Sequence, residues 1–113
     1  MDFKIELFDT EITYLEGELC DDLRQLIEGN NTYQNKGVII KLNQKNIIWV
    51  EDPDDVSTIA HESFHVICRI LGERGIPLNE STEEVYAYTL GYVMNQILRL
   101  KDEQKKLHQN KND

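Results

Sequence analysis

Asp54-Asp55-Val56-Ser57-Thr58-Ile59-Ala60-His61-Glu62-Ser63-Phe64-His65-Val66-Ile67-Cys68-Arg69-Ile70-Leu71-Gly72 is the stretch on which the fold turns. It opens with carboxylates that can accept from the unpaired amides of a first helical turn and closes on a glycine, so it predicts a helix capped by Asp54 or Asp55 and running to Leu71, with Gly72 as its stop. Ile59, Phe64, Ile67, Ile70 and Leu71 form its apolar set. Pro53, just upstream, ends whatever precedes the helix.

Working outward, residues 38–42 and 47–50 are runs rich in β-branched side chains joined by the polar Asn43-Gln44-Lys45-Asn46, which predicts a hairpin. Residues 3–15 predict one or two short strands with a bend at Asp9-Thr10. Leu19, Leu23, Leu26 and Ile27 recur at helical spacing after Gly17, and Gly29-Asn30-Asn31 interrupts them, which predicts a short helix between strands and hairpin. Downstream of a loop containing Gly75 and Pro77, Ser81 or Thr82 can cap a last long helix with Ala87, Leu90, Gly91, Met94, Ile97 and Leu98 on one face. Strands precede helices, so the fold class is α+β rather than an alternating parallel sheet. One domain over residues 1–108 is expected, with 109–113 as a frayed tail that includes none of the site; His108 is read as a surface histidine at its border.

The chain has 113 residues, enough for one core, and carries 12 Lys+Arg against 21 Asp+Glu, a net charge of −9. That balance argues against nucleic acid or an anionic membrane as partner. There is no run of apolar residues long enough to span a bilayer, and the acidic start MDFKIELFDTE is unlike a secretory signal, so a cytoplasmic location is expected. Cys20 and Cys68 have no CxxC spacing and are read as reduced thiols.

Inside the central helix, His61-Glu62-Ser63-Phe64-His65 is an HExxH pattern. Histidines at i and i+4 stand one turn apart on one face, so both imidazoles can reach a single ion at ~2.0–2.1 Å. Glu62 beside them is placed to act as general base on a water at the open coordination position. With 3 His in 113 residues, chance would produce this pattern in roughly one such sequence in a hundred. One zinc ion per chain is the expected cofactor.

Catalytic zinc takes three protein ligands and a water, so a further donor is needed. Glu84, separated from His65 by 18 residues, gives a spacing in which one reversing loop brings a second helix beside the first. It shares a stripe with Ala87, Gly91, Met94 and Leu98, read as the core side. Glu83 lies on a neighbouring stripe, Glu80 precedes both, and Ser81-Thr82-Glu83-Glu84 also reads as a capping box, so periodicity leaves these alternatives open. Tyr88, one turn beyond Glu84, is the candidate phenol for stabilising an oxyanion, alongside Tyr86 and Tyr92.

Residues 57–98 resemble the small HExxH zinc metallopeptidases of the gluzincin type, particularly short phage- and prophage-encoded zincin-like proteins. The resemblance covers the HExxH helix and a second helix in which Glu84-Val85-Tyr86-Ala87-Tyr88 sets a Glu ahead of a small and an aromatic residue. It implies His61, His65 and Glu84 as metal ligands, Glu62 as base, a zincin-like fold, and hydrolysis of a peptide or protein substrate. The Asn-Glu-x-x-Ser-Asp form of larger thermolysin-like enzymes is absent. In zincins an edge strand above the metal receives extended substrate, and residues 46–50 are the candidate here; Trp49 could line that cleft, although a place in the core is the commoner fate of a tryptophan.

Two other readings compete. One is a non-catalytic interaction or structural module in which zinc locks the helices together; the intact Glu62 speaks against it. The other is peptide deformylase, whose third ligand is an upstream cysteine: Cys20 stands 41 positions before His61, but the flanking residues depart from that family's Glu-Gly-Cys run. A chain this small leaves little surface for a cleft, so a protein partner or homo-oligomer is a further expectation.

Overall fold

The computed structural model describes residues 1–5, 8–18, 21, 24–25, 36–42 and 45–112, with side chains through 107. Four strands and two helices are defined there: β1 (Asp2–Ile5), β2 (Thr10–Glu16), β3 (Gly37–Leu42), β4 (Lys45–Val50), α1 (Val56–Glu73) and α2 (Glu83–Asn112). The class is α+β. The short helix predicted between residues 17 and 29, with Cys20, lies largely outside the described residues.

One sheet holds the strands in the order β1-β2-β4-β3. β1 and β2 pair antiparallel through the predicted bend, where Asp9 takes φ 48°, a conformation Asp tolerates better than most residues. β3 and β4 form the predicted hairpin. β2 and β4 pair in parallel, Ile12 facing Asn46 and Glu16 facing Val50. That pairing places β4 in the interior, which corrects the reading of residues 46–50 as an edge strand. β3 is the edge instead, with no strand on its outer side among the described residues.

Strand alternation then fixes the core. Phe3, Ile5, Ile12, Tyr14, Ile48 and Val50 form one apolar face and pack against Ile59, Val66, Ile67, Ile70 and Leu71 of α1 and Tyr86, Val93 and Ile97 of α2. Trp49 points to the opposite face, half-buried, and its indole N–H donates to the Gly17 carbonyl at 2.8 Å. Tyr14 is fully buried, and its hydroxyl donates to Glu16 Oε2 at 2.8 Å. Lys101 of α2 reaches the same carboxylate oxygen at 2.7 Å and the Pro53 carbonyl at 2.6 Å, tying the far part of α2 to the sheet and to the entry of α1.

Burial, and then the bond to Glu16, push the Tyr14 phenol well above its ordinary value. Above about pH 10 the unfolded chain loses this proton while the folded chain keeps it, so stability falls as pH rises, by about 1.4 kcal/mol per unit for this one group. In urea unfolding at pH 9 and pH 11, Tyr14→Phe is expected to show a smaller alkaline loss than wild type. Equal losses would show that Tyr14 keeps no elevated value in the fold.

α1 begins at the predicted cap. Asp55 Oδ1 accepts from the Thr58 amide at 3.1 Å and Oδ2 from the Thr58 hydroxyl at 2.6 Å, and these bonds hold the Asp55 carboxyl below the usual range. Such a cap contributes about 1 kcal/mol. The helix passes through Gly72, the expected stop, and ends at Glu73, just before Gly75, whose φ of 75° suits a glycine; the Ile76 amide bonds back to the Leu71 carbonyl and the Gly75 amide to that of Gly72. Phe64, assigned by periodicity to the apolar set, is exposed, because the buried stripe runs through Ile59, Glu62, Ser63, Val66, Ile67, Ile70 and Leu71.

α2 starts after a turn organised by Asn79, whose side-chain oxygen accepts from both the amide and the hydroxyl of Ser81 and from the Thr82 amide. The Thr82 carbonyl accepts the first helical bond, from Tyr86, at 3.2 Å. The helix runs to Asn112, with Lys-, Gln- and Glu-rich last turns and the Lys106–Asp102 pair at i, i+4. Among the described residues no helix is long and apolar enough to cross a membrane.

Candidate metal and catalytic site

His61, Glu62 and His65 all project from the side of α1 that faces β3. The helical spacing that predicts a shared face delivers it: Nε2 of His65 lies 3.1 Å from Nε2 of His61, with the ring centroids 4.7 Å apart and the planes at 73°. Two nitrogens this close either share one proton-bearing donor or direct both lone pairs at a common ion. Tetrahedral ligands at ~2.0–2.1 Å from zinc would themselves stand roughly 3.3–3.4 Å apart, so the separation of the two nitrogens is close to that of two ligands of one ion.

Glu62 is buried, 8% exposed, whereas both histidines are open to solvent. Its Oε1 lies 4.0 Å from His61 Nε2. Burial raises the Glu62 carboxyl above its ordinary value, against the opposing pull of His61 and His65. A carboxyl moved toward neutrality is better matched to taking and returning a proton near neutral pH. Histidines and glutamate open on a cavity of about 420 Å³, closed on one side by Ser57 and Thr58 of α1 and on the other by Lys36, Gly37, Val38 and Ile39.

The edge of β3 therefore forms one wall of the site. The Glu51 amide donates to the Lys36 carbonyl at 2.7 Å, which makes residues 36 and 51 a hydrogen-bonded pair. By the alternation of an antiparallel ladder, the N–H and C=O groups of Gly37 and Ile39 then point away from β4, to the outer edge. Trp49, which the sequence leaves open to either a cleft or a core place, is not among the lining side chains, since the odd-numbered positions of β4 face away from α1.

Glu84 and Tyr88 are placed differently from their sequence reading. Both are exposed, Tyr88 at 76%. The side of α2 that packs inward carries Tyr86, Thr89, Val93 and Ile97, with the Tyr86 hydroxyl donating to the Ile76 carbonyl at 2.6 Å. Two residues before and after Tyr86 lie about 200° around the helix from it, on the solvent side. The supposed core stripe through Ala87, Gly91 and Leu98 is exposed for the same reason. Glu83 lines a second groove, of about 490 Å³, together with Phe64, Leu78, Tyr86 and Leu90. Among the described residues no three His, Cys, Asp or Glu side chains are grouped to hold an ion, so Glu84 is not brought to the histidine pair. Cys20, the ligand of the deformylase reading, lies outside the described residues.

Gly37 and Thr58 were missed by motif reading. Gly37 begins β3 where the sequence reading starts the strand at residue 38; a glycine in strand context is the available signal of close backbone approach. No protein-family model matches the chain, and neither a curated protein nor a solved structure does.

Proposed function

We propose that this protein is a zinc-dependent peptidase of zincin-like design, resembling the short gluzincin-type enzymes of phages and prophages and acting in the cytoplasm. The observation that carries the reading is the convergence of His61 Nε2 and His65 Nε2, 3.1 Å apart, with the buried Glu62 carboxylate 4.0 Å from His61, under the outer edge of β3. His61 and His65 would hold the metal. Glu84 remains the third ligand implied by resemblance alone; the geometry supports the two histidines.

Zinc, when bound, supplies a Lewis acid for a peptide carbonyl and makes water nucleophilic near neutral pH. The chain's own groups do the rest. Glu62 accepts the proton of the attacking water at its carboxylate and passes it to the departing amine, a sequence that needs no covalent enzyme intermediate. An extended peptide adds to the outer edge of β3, where the peptide groups of Gly37 and Ile39 can exchange hydrogen bonds with it and align the scissile bond over the cavity. This replaces residues 46–50 with β3 as the substrate strand.

The test is hydrolysis of a quenched-fluorescence peptide library by protein reconstituted with one equivalent of zinc. Cleavage that a chelator abolishes and added zinc restores is the expected result. Stoichiometric zinc uptake with no cleavage of any library member would favour the non-catalytic, zinc-locked module.

A further inference from the structure

We infer that Gly37 is a positioning residue for Glu62, an inference that rests on the peptidase reading for its catalytic meaning but on geometry for its content. A β-carbon at residue 37 would lie 2.9 Å from Cγ of Glu62, 2.9 Å from Cγ2 of Thr58 and 3.0 Å from the Trp49 carbonyl oxygen. The two 2.9 Å separations are shorter than β-carbons adopt, and the 3.0 Å one is tighter than nearly all of their contacts. Gly37 does not have the positive φ that marks Gly17 and Gly75, so its backbone conformation is one other residues can take. Glycine is required there for space.

What would yield to a larger residue decides the consequence. The Trp49 carbonyl belongs to β4, in the interior of the sheet, and cannot retreat without disturbing pairs on both sides. Thr58 is pinned to the Asp55 carboxylate through its amide and its hydroxyl, so turning its methyl away breaks the cap of α1. Among the described residues Glu62 has no such tether: beyond its packing it has only the 4.0 Å approach to His61. Its χ1 rotamer is therefore the cheapest thing to change, and changing it carries the carboxylate away from the histidines. The bare backbone of Gly37 thus keeps Glu62 in the rotamer that faces His61, while the same residue's peptide groups lie at the edge of β3.

The experiment compares wild type, Gly37→Ala and Gly37→Ala/Thr58→Ser, the last retaining the hydroxyl bond to Asp55 while removing the Thr58 methyl. Three-bond couplings report Glu62 χ1, and an NOE between Gly37 Hα and Glu62 Hγ reports the contact. Zinc affinity, melting temperature, KM and kcat on the peptide library are measured alongside. Expected are a strong NOE in wild type, a changed Glu62 χ1 in Gly37→Ala, and kcat lowered roughly 10–100-fold with KM and zinc affinity within about two-fold. The double variant is expected to recover part of kcat. An unchanged χ1 in Gly37→Ala, or kcat lost only in step with zinc affinity and melting temperature, would overturn the inference. If wild type cleaves nothing, the peptidase reading fails, and the couplings and NOE still decide whether Gly37 sets the Glu62 rotamer.

Discussion

Glu62→Gln is expected to lower zinc-dependent peptide hydrolysis by roughly 10²–10⁴-fold, the range that a positioned general base contributes, while leaving zinc uptake within about two-fold of wild type. Glutamine keeps the length and the buried packing of the side chain under Gly37 and removes only its capacity to take a proton. The same substitution makes a second, opposite effect on stability. Burial raises the Glu62 carboxyl, so between about pH 4.5 and its folded value the native chain holds a proton that the unfolded chain has lost. Over that window stability falls as pH rises, so above the ordinary carboxylate range this buried acid is a net cost to the metal-free fold. Metal-free Glu62→Gln should then melt no lower than wild type at pH 7, with any advantage shrinking as pH falls through the ordinary carboxylate range. A variant that is inactive and also less stable would mean that Glu62 is a packing residue. Retained activity would place the base elsewhere.

His65→Ala has the other large expected effect: loss of zinc affinity by more than about 100-fold. Removing even a group that merely orients a ligand costs roughly 10–100-fold, and His65 supplies one of the two nitrogens at the site itself. An ion that binds only the folded chain raises its stability, so loss of the proposed zinc would also be visible in unfolding. Zinc at a hundred times its dissociation constant should add about 2.7 kcal/mol to wild type. His65→Ala, exposed at this position and without a buried cavity to create, should fold as the metal-free wild type does and gain almost nothing from zinc. An equal zinc response in both proteins would remove His65 from the site.

The elements closest to the site were also the most legible in the sequence, for identifiable reasons. The i, i+4 histidines needed only a helix, and that helix carried its own start signal in Asp55. The hairpin and the bend at Asp9 followed from short β-branched runs separated by turn residues. What the sequence left unresolved depended on partners remote along the chain. The parallel pairing of β2 with β4, which moves the edge from β4 to β3, is a choice among strands that alternation within each strand cannot make. The rotation of α2 is a similar case. Several apolar stripes were available between residues 83 and 98, and Tyr86, through its bond to the Ile76 carbonyl, selects the one that turns Glu84 and Tyr88 outward. Gly72 is the stop that composition suggests, but the backbone conformation that ends the helix falls at Gly75.

The most direct measurement is the zinc content of the purified, zinc-exposed and dialysed protein, set beside His61→Ala and His65→Ala. One zinc per wild-type chain, absent from both variants, is expected if the two nitrogens 3.1 Å apart share an ion. A wild-type chain that retains no zinc, or variants that retain it as well as wild type, would contradict the metal site and the hydrolytic chemistry built on it.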